Sequence, residues 1–125
     1  MTKDGTRLSG KTIAQLVEQF AEIAVDQSRA IDLAEYGKYN RLFEKMNAVE
    51  NELIGKGEAA RLALLRLFDH PNRQVRVAAA KATLVVAPIA ARNALESIVA
   101  EKWFPQALDA GMTLTNLDNG TFKPT

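Results

Sequence analysis

Between Thr12 and Asp118, apolar residues recur at the three- and four-residue spacing of an α-helix, and no segment alternates as a half-buried strand does. Six helical segments follow from this spacing. The first begins near Thr12, which forms a capping-box pattern with Gln15. The others span 33–54, 58–68, 73–86 and 88–102, and a last one runs from "WFPQ" to near "NLDNG". The pattern predicts an all-α protein.

Glycine and proline mark the breaks between these segments. Gly55-Lys56-Gly57 ends the second helix, Pro71 excludes His70 from helical geometry, and Pro88 opens the fifth helix. In the second helix, Phe43 belongs to the apolar stripe. The fourth helix carries one apolar stripe through Val75 and Ala79 and another through Val77, Ala80 and Leu84, which predicts burial on both sides.

An internal similarity relates the fourth helix to the sixth. A shift of 33 residues places Val75 on Leu108 and Ala79 on Met112, which is the period of one helix pair. The six helices are then three hairpins that bury their faces against one another. The prediction is one domain over 1–125, with a polar N-terminal arm at 1–11 and a tail at 119–125. A four-helix-type bundle with extra helices is the alternative.

The stretch "LFDHPNRQVRVAAAKATL" at 67–84 resembles a HEAT or armadillo-type repeat unit, and this resemblance covers about 58–118. Over nearly the whole chain, "YNRLFEKM", "DHPN" and "WFPQALDAGMTLTNLDNGTFKPT" resemble a family of small bacterial proteins known as a domain of unknown function and assigned to the HEAT-like class. The resemblance implies an all-α, HEAT-like, armadillo-type superhelix of about three stacked helical hairpins. It implies no activity.

The same resemblance suggests a role for one arginine. In HEAT-like units, an arginine at the place of Arg76 usually binds the aspartate of a turn. Here Asp69 lies across the turn, and Asp109 stands in line with Arg76 under the 33-residue shift. The resemblance therefore implies that Arg76 pairs with Asp69 or Asp109.

The residue types needed for most catalysis are scarce. The chain has no cysteine and one histidine, so thiolate metal sites and cysteine nucleophiles are excluded, and His70 is expected to support the turn in which it lies. We predict no catalytic residue, cofactor or metal, and therefore no enzyme. The chain shows no signal peptide, and its longest nearly apolar run, 82–91, is too short to span a bilayer. No membrane association and a cytoplasmic location are expected.

Residues 5–12, "GTRLSGKT", match the pattern of a phosphate-binding Walker A loop. That loop needs a buried strand before it and a helix after it, because the strand delivers the backbone amides to the phosphate. Only "MTKD" precedes Gly5, and it cannot form a central strand. We therefore predict that this segment is mobile or loosely docked and binds no nucleotide.

The net charge of +1 conceals a basic block at 59–92, which carries six basic residues against Asp69 alone, a net +5. Such a block either attracts an acidic partner or faces acidic residues of its own chain. Trp103-Phe104 is similarly open to two interpretations, an exposed aromatic anchor for a partner or a staple that packs into the core.

The function predicted from these features is a non-enzymatic protein-interaction module, of which an inhibitory or immunity-type protein is one form. The candidate partner-binding residues are Tyr39, Arg41, Arg73, Arg76, Lys81, Trp103 and Asp109. The partner is a protein, and the chain is a monomer or weak homodimer. Binding of a nucleic-acid backbone by the basic block is the alternative, although the small total charge disfavours it.

Overall fold

A computed structural model of the chain describes residues 8–125, and all regular secondary structure in this range is helical. The elements are α1 (Ile13–Asp32), α2 (Tyr36–Gly55), α3 (Glu58–Leu62), a 3-10 helix (Ala63–Asp69), α4 (Arg73–Ala82), α5 (Pro88–Glu101) and α6 (Gln106–Asp118). The predicted all-α class is thus confirmed for the described range. The chain divides into a first compact unit that ends at Ala63 and a second unit, Leu64–Thr125. The single domain over 1–125 stays a prediction.

The first unit is built on the antiparallel packing of α1 and α2. Thr12 is the N-cap of α1: its Oγ1 accepts a hydrogen bond from the Gln15 N–H at 3.1 Å, and the Gln15 Oε1 accepts one from the Thr12 N–H at 2.9 Å. The predicted capping box is confirmed. The buried residues of the two helices are Leu16, Val17, Phe20, Ile23, Ala24, Gln27, Ala30, Leu42, Met46, Val49 and Leu53.

The turn between α1 and α2 differs from its prediction. Helix α2 begins at Tyr36 and not at Leu33, because Leu33 is the C-cap of α1 and Ala34 adopts a left-handed conformation with φ of 56°. The N–H groups of Ala34 and Glu35 donate to the carbonyls of Ile31 and Ala30, the bonding pattern of a Schellman motif. Phe43 of α2 is half exposed, so its predicted place in the buried stripe is wrong.

Helix α4 of the second unit is shorter than predicted, since it ends at Ala82 and not at Val86. Thr83 terminates it: the Thr83 N–H bonds to the Ala80 carbonyl, and the Thr83 hydroxyl donates to the Ala79 carbonyl at 2.9 Å. These bonds tighten the last turn and satisfy carbonyls that would otherwise lack a donor. The predicted helix 58–68 also changes character, because it is α-helical only to Leu62 and then tightens into the 3-10 helix.

The core of the second unit joins its three α-helices. It consists of Val77, Ala80, Leu84, Ala91, Leu95, Ile98 and Ala110. Gln106 at the start of α6 donates from Nε2 to the Oε1 of Gln74 in α4 at 3.1 Å, and both side chains are buried. The side of α6 that carries Ala110 therefore faces inward. The predicted burial of both stripes of α4 is confirmed, as Val75 and Ala79 are fully buried as well.

Candidate functional site

The seven candidate residues are divided between the two units. Tyr39, which is half buried, and Arg41, which is exposed, both lie on α2 in the first unit. The other five lie in the second unit, where they form two separate clusters around the carboxylates of Glu101 and Asp109.

Glu101, the last residue of α5, holds the first cluster together. Arg73 donates from Nε to Glu101 Oε1 at 2.7 Å, and Arg76 donates from Nη1 to Oε2 at 2.6 Å and from Nη2 to Oε1 at 3.3 Å. The expectation that Arg76 pairs with Asp69 or Asp109 is therefore wrong. Because α4 packs along α5, its arginines reach the end of that helix, where Glu101 offers two oxygens to their planar donors.

The electrostatics of the cluster follow from this geometry. The hydrogen bonds from Arg76, and next those from Arg73, lower the pKa of Glu101 below its ordinary value, against the opposing effect of burial. The two terminal nitrogens of Arg76 are occupied by Glu101, while its Nε is buried with no hydrogen-bond partner within residues 8–125. Arg76 thus depends on Glu101 for its pairing.

The aromatic pair Trp103-Phe104 lies on the surface. Trp103 is 58% exposed and Phe104 is 64% exposed, so the interpretation of this pair as a core staple is wrong. The guanidinium of Arg73 stacks over the Trp103 ring, with Cζ 4.5 Å from the ring centroid, which is a cation–π contact. Arg73 therefore links Glu101 to Trp103 and holds one face of the indole.

In the second cluster, Lys81 Nζ donates to Asp109 Oδ1 at 3.0 Å. These two residues border a small cavity of about 270 Å³ at which Phe122 of the C-terminal tail also lies. The Phe122 N–H donates to the Asn116 carbonyl at 3.0 Å, which fixes this part of the tail against α6.

Most cations of the basic block are paired with acidic residues of their own unit. The pairs are Arg61 with Glu50, Arg73 and Arg76 with Glu101, Lys81 with Asp109, and Arg92 with Glu96 and Asp118. For these five cations, the interpretation that the block faces its own acidic neighbours is confirmed. They are held by carboxylates and do not form a stripe of free positive charge.

The second unit has an apolar groove between α5 and α6, with a volume of about 600 Å³. Its apolar lining comprises Val99, Phe104, Ala107, Leu108, Gly111 and Met112, and Lys102, Thr115 and Asn116 complete it. Leu108 and Met112 lie on the side of α6 opposite Ala110, since they are each two residues from it at about 100° per residue. Neither residue was predicted at a site, although the sequence shows that α6 is apolar on two sides.

No group of three or more histidine and carboxylate side chains in the described part of the chain has an arrangement that could hold a metal ion. His70 has the structural role that was predicted, because its Nδ1 accepts a hydrogen bond from the Asn72 N–H at 3.0 Å at the start of α4. None of the helices between Leu8 and Thr125 has the length and apolar character needed to cross a bilayer.

The Walker-like segment lies partly outside the described residues, which begin at Leu8. Leu8 is buried, and its carbonyl accepts a hydrogen bond from the Lys11 N–H at 3.1 Å. The hydroxyl of Thr12 accepts the Gln15 N–H in the capping box. The absence of nucleotide binding stays a prediction.

In the part of the chain that the structure describes, these features are those of a helical protein with paired surface charges and an apolar groove in its second unit. Comparison with known proteins identifies its family. The family described as a domain of unknown function (DUF2019) matches residues 14–118, so the chain belongs to it. The crystal structure of the protein RPA1889 from Rhodopseudomonas palustris CGA009 is similar, with 48% sequence identity, a TM-score of 0.92, and coverage of 99% of this chain and 100% of that chain. No curated protein is significantly similar. The resemblance to a bacterial family of unknown function is confirmed.

Proposed function

We propose that this chain is a non-enzymatic protein-interaction module that receives the apolar side of a partner helix in the groove between α5 and α6. The observation that carries the proposal is the exposure of Leu108 and Met112, at 55% and 56%, on the rim of an apolar groove. Helices commonly dock in such grooves through apolar residues spaced three, four and seven apart.

The internal similarity supports this proposal. Val75 and Ala79 of α4, the counterparts of Leu108 and Met112 under the 33-residue shift, are both 0% exposed. The same positions are thus covered in α4 and open in α6. We infer a HEAT-like, armadillo-type stacking of the hairpins. In such arrays each hairpin buries its apolar face against the next one, so an apolar face that stays exposed marks a surface for a partner.

The groove sets the size of its occupant. From Ala107 to Thr115, α6 rises about 12 Å along its axis, which is a little over two helical turns. A partner helix can therefore place two or three apolar side chains in the groove. Phe104 adds a large exposed ring at one end, of the residue type that often anchors an interface. The occupant expected is an amphipathic helix whose apolar stripe consists of leucine or similar side chains.

A methyl NMR titration tests this proposal. The ligand is a synthetic stapled helix of about four turns with leucines at helical spacing, and the matched control is a peptide of the same composition with the stripe scrambled. We expect the methyl signals of Val99, Leu108 and Met112 to shift with the striped peptide. Met46, which is buried in the first unit, serves as the internal reference. Equal shifts with the scrambled peptide, or no shift up to about 1 mM, would refute helix docking in this groove.

A further inference from the structure

We propose that the helix received by the groove is α6 of a second copy of this chain, so that two copies pair face to face about a two-fold axis. This inference rests on the proposed function and names its partner. A two-fold interface must be complementary to itself, because the same surface is used on both sides. The groove face has the required shape, since it combines the concavity between α5 and α6 with protruding side chains at Phe104 and Met112.

The spacing of large and small residues on α6 defines an antiparallel register. If two α6 helices cross level with Ala110, Leu108 of one copy lies opposite Met112 of the other. Ala107 and Gly111 then allow the helices to approach closely. A Cβ at Gly111 would lie 3.8 Å from Val99 Cγ2, an ordinary contact, so packing within the unit does not require glycine there. Its missing side chain leaves room in the groove.

The charged residues at the two ends of the groove match the same register. At the end at which α6 begins, Lys102 lines the groove. At the opposite end, α6 finishes in Asp118, which is paired with Arg92 of its own copy. An antiparallel arrangement brings Lys102 of each copy towards Asp118 of its partner. Electrostatic complementarity of this kind fixes the orientation of an interface.

The limited apolar area makes the pairing weak. The face offers Phe104, Leu108 and Met112, each a little more than half exposed, together with Val99. This is well below the roughly 800 Å² per partner of a standard interface. We therefore expect a dissociation constant between about 10 µM and 1 mM.

Sedimentation equilibrium across this concentration range is the first test. The weight-average mass should rise from 13.7 kDa towards twice that value. Leu108→Glu should keep the protein monomeric at about 1 mM, which would correspond to a loss of affinity of at least about tenfold. The matched control is Ile89→Glu, because Ile89 is apolar and 77% exposed but does not line the groove. Far-UV circular dichroism verifies that both variants are folded, and Met112→Ala provides a milder change at the same face.

Disulfide crosslinking tests the register, and the chain is suited to it because it contains no cysteine. A mixture of Leu108→Cys and Met112→Cys proteins should form the mixed disulfide faster than either protein crosslinks alone, whereas Ile89→Cys should crosslink slowly. A mass that stays at 13.7 kDa at about 1 mM would overturn the pairing, and equal crosslinking by Ile89→Cys would do so as well. If the protein stays monomeric while the striped peptide still shifts the groove methyls, the self-pairing fails and the proposed function stands.

Discussion

Glu101 is the residue on which the pairing of two arginines depends, and we expect Glu101→Gln to destabilise the fold. Glutamine keeps one oxygen that can accept a hydrogen bond but removes the charge. Arg73 keeps its contact with Trp103, whereas Arg76 loses its charged partner while its Nε already lacks one within residues 8–125. The side chain of Arg76 is only 18% exposed, so water replaces the lost interaction poorly.

The magnitude follows from the exposure of the carboxylate. Hydrogen bonds to charged groups contribute about 1.5–3 kcal/mol when they are well shielded. The Glu101 side chain is 31% exposed, so solvent screening reduces this contribution, and we expect a loss of about 1–1.5 kcal/mol. Arg76→Ala should cost less, because Arg73 still donates to Glu101. The control is Glu96→Gln on the same helix: Glu96 is 55% exposed and its partner Arg92 keeps Asp118, so no measurable change is expected.

The stabilisation by Glu101 should be lost at acid pH and kept at neutral pH. The pKa of Glu101 is lowered in the folded protein, so its stabilisation is present in full above the ordinary pKa of 4.5 and is lost as the pH falls through the lowered value. Urea unfolding, followed by circular dichroism from about pH 7 to about pH 3, should show a gap between wild type and Glu101→Gln that closes only in acid. A variant as stable as wild type at neutral pH, or a gap independent of pH, would refute the assigned ion pair.

Three further predictions concern the turn and the ligands. Ala34→Gly should raise the free energy of unfolding by about 0.5–1 kcal/mol in urea denaturation, because glycine adopts the left-handed conformation of this turn at lower cost; a destabilised variant would contradict this turn geometry. Labelled duplex DNA should bind no tighter than about 10 µM at physiological salt, since most cations of the basic block are paired with carboxylates; submicromolar binding with a steep salt dependence, weakened by Arg73→Ala and Lys81→Ala, would support nucleic-acid binding instead. Calorimetry with ATP or GTP and magnesium should show no binding, and micromolar binding that Lys11→Ala abolishes would contradict this expectation.

The sequence predicted well those helix ends that depend on residues adjacent in the chain. The capping box at Thr12, the end of α2 near Gly55 and the start of α5 at Pro88 each depend on a few consecutive residues. The start of α2 was misplaced because the left-handed residue of the Schellman motif is Ala34, where glycine is the usual signal. Similarly, Thr83 on its own is not a helix-stop signal, so the end of α4 at Ala82 was not predicted.

The partner of Arg76 could not be predicted from residues near it in the chain. It depends on how α4 packs along α5, which brings Glu101 to Arg76 from 25 positions away. The resemblance to repeat units implied that Arg76 pairs with an aspartate, Asp69 or Asp109. In the structure, Asp109 binds Lys81. The sequence did contain a coarser signal, because the acidic residues after the basic block were numerous enough to neutralise much of it. Charge balance therefore made pairing within the chain one of two interpretations, and it did not indicate which residues pair.

The groove shows a further limit of prediction from helical periodicity. Periodicity identifies which sides of a helix are apolar, but it does not say what covers each side. Helices α4 and α6 are both apolar on two sides, and in α4 both sides are buried, whereas in α6 Leu108 and Met112 remain more than half exposed. A two-sided apolar helix that is covered on only one side within its own chain retains a favourable free energy for association, because its exposed side chains still gain from removal from water. Met112 and Leu108 are therefore positions at which the sequence pattern exceeds what the described fold buries, and this excess supports the proposal of an interaction surface on α6.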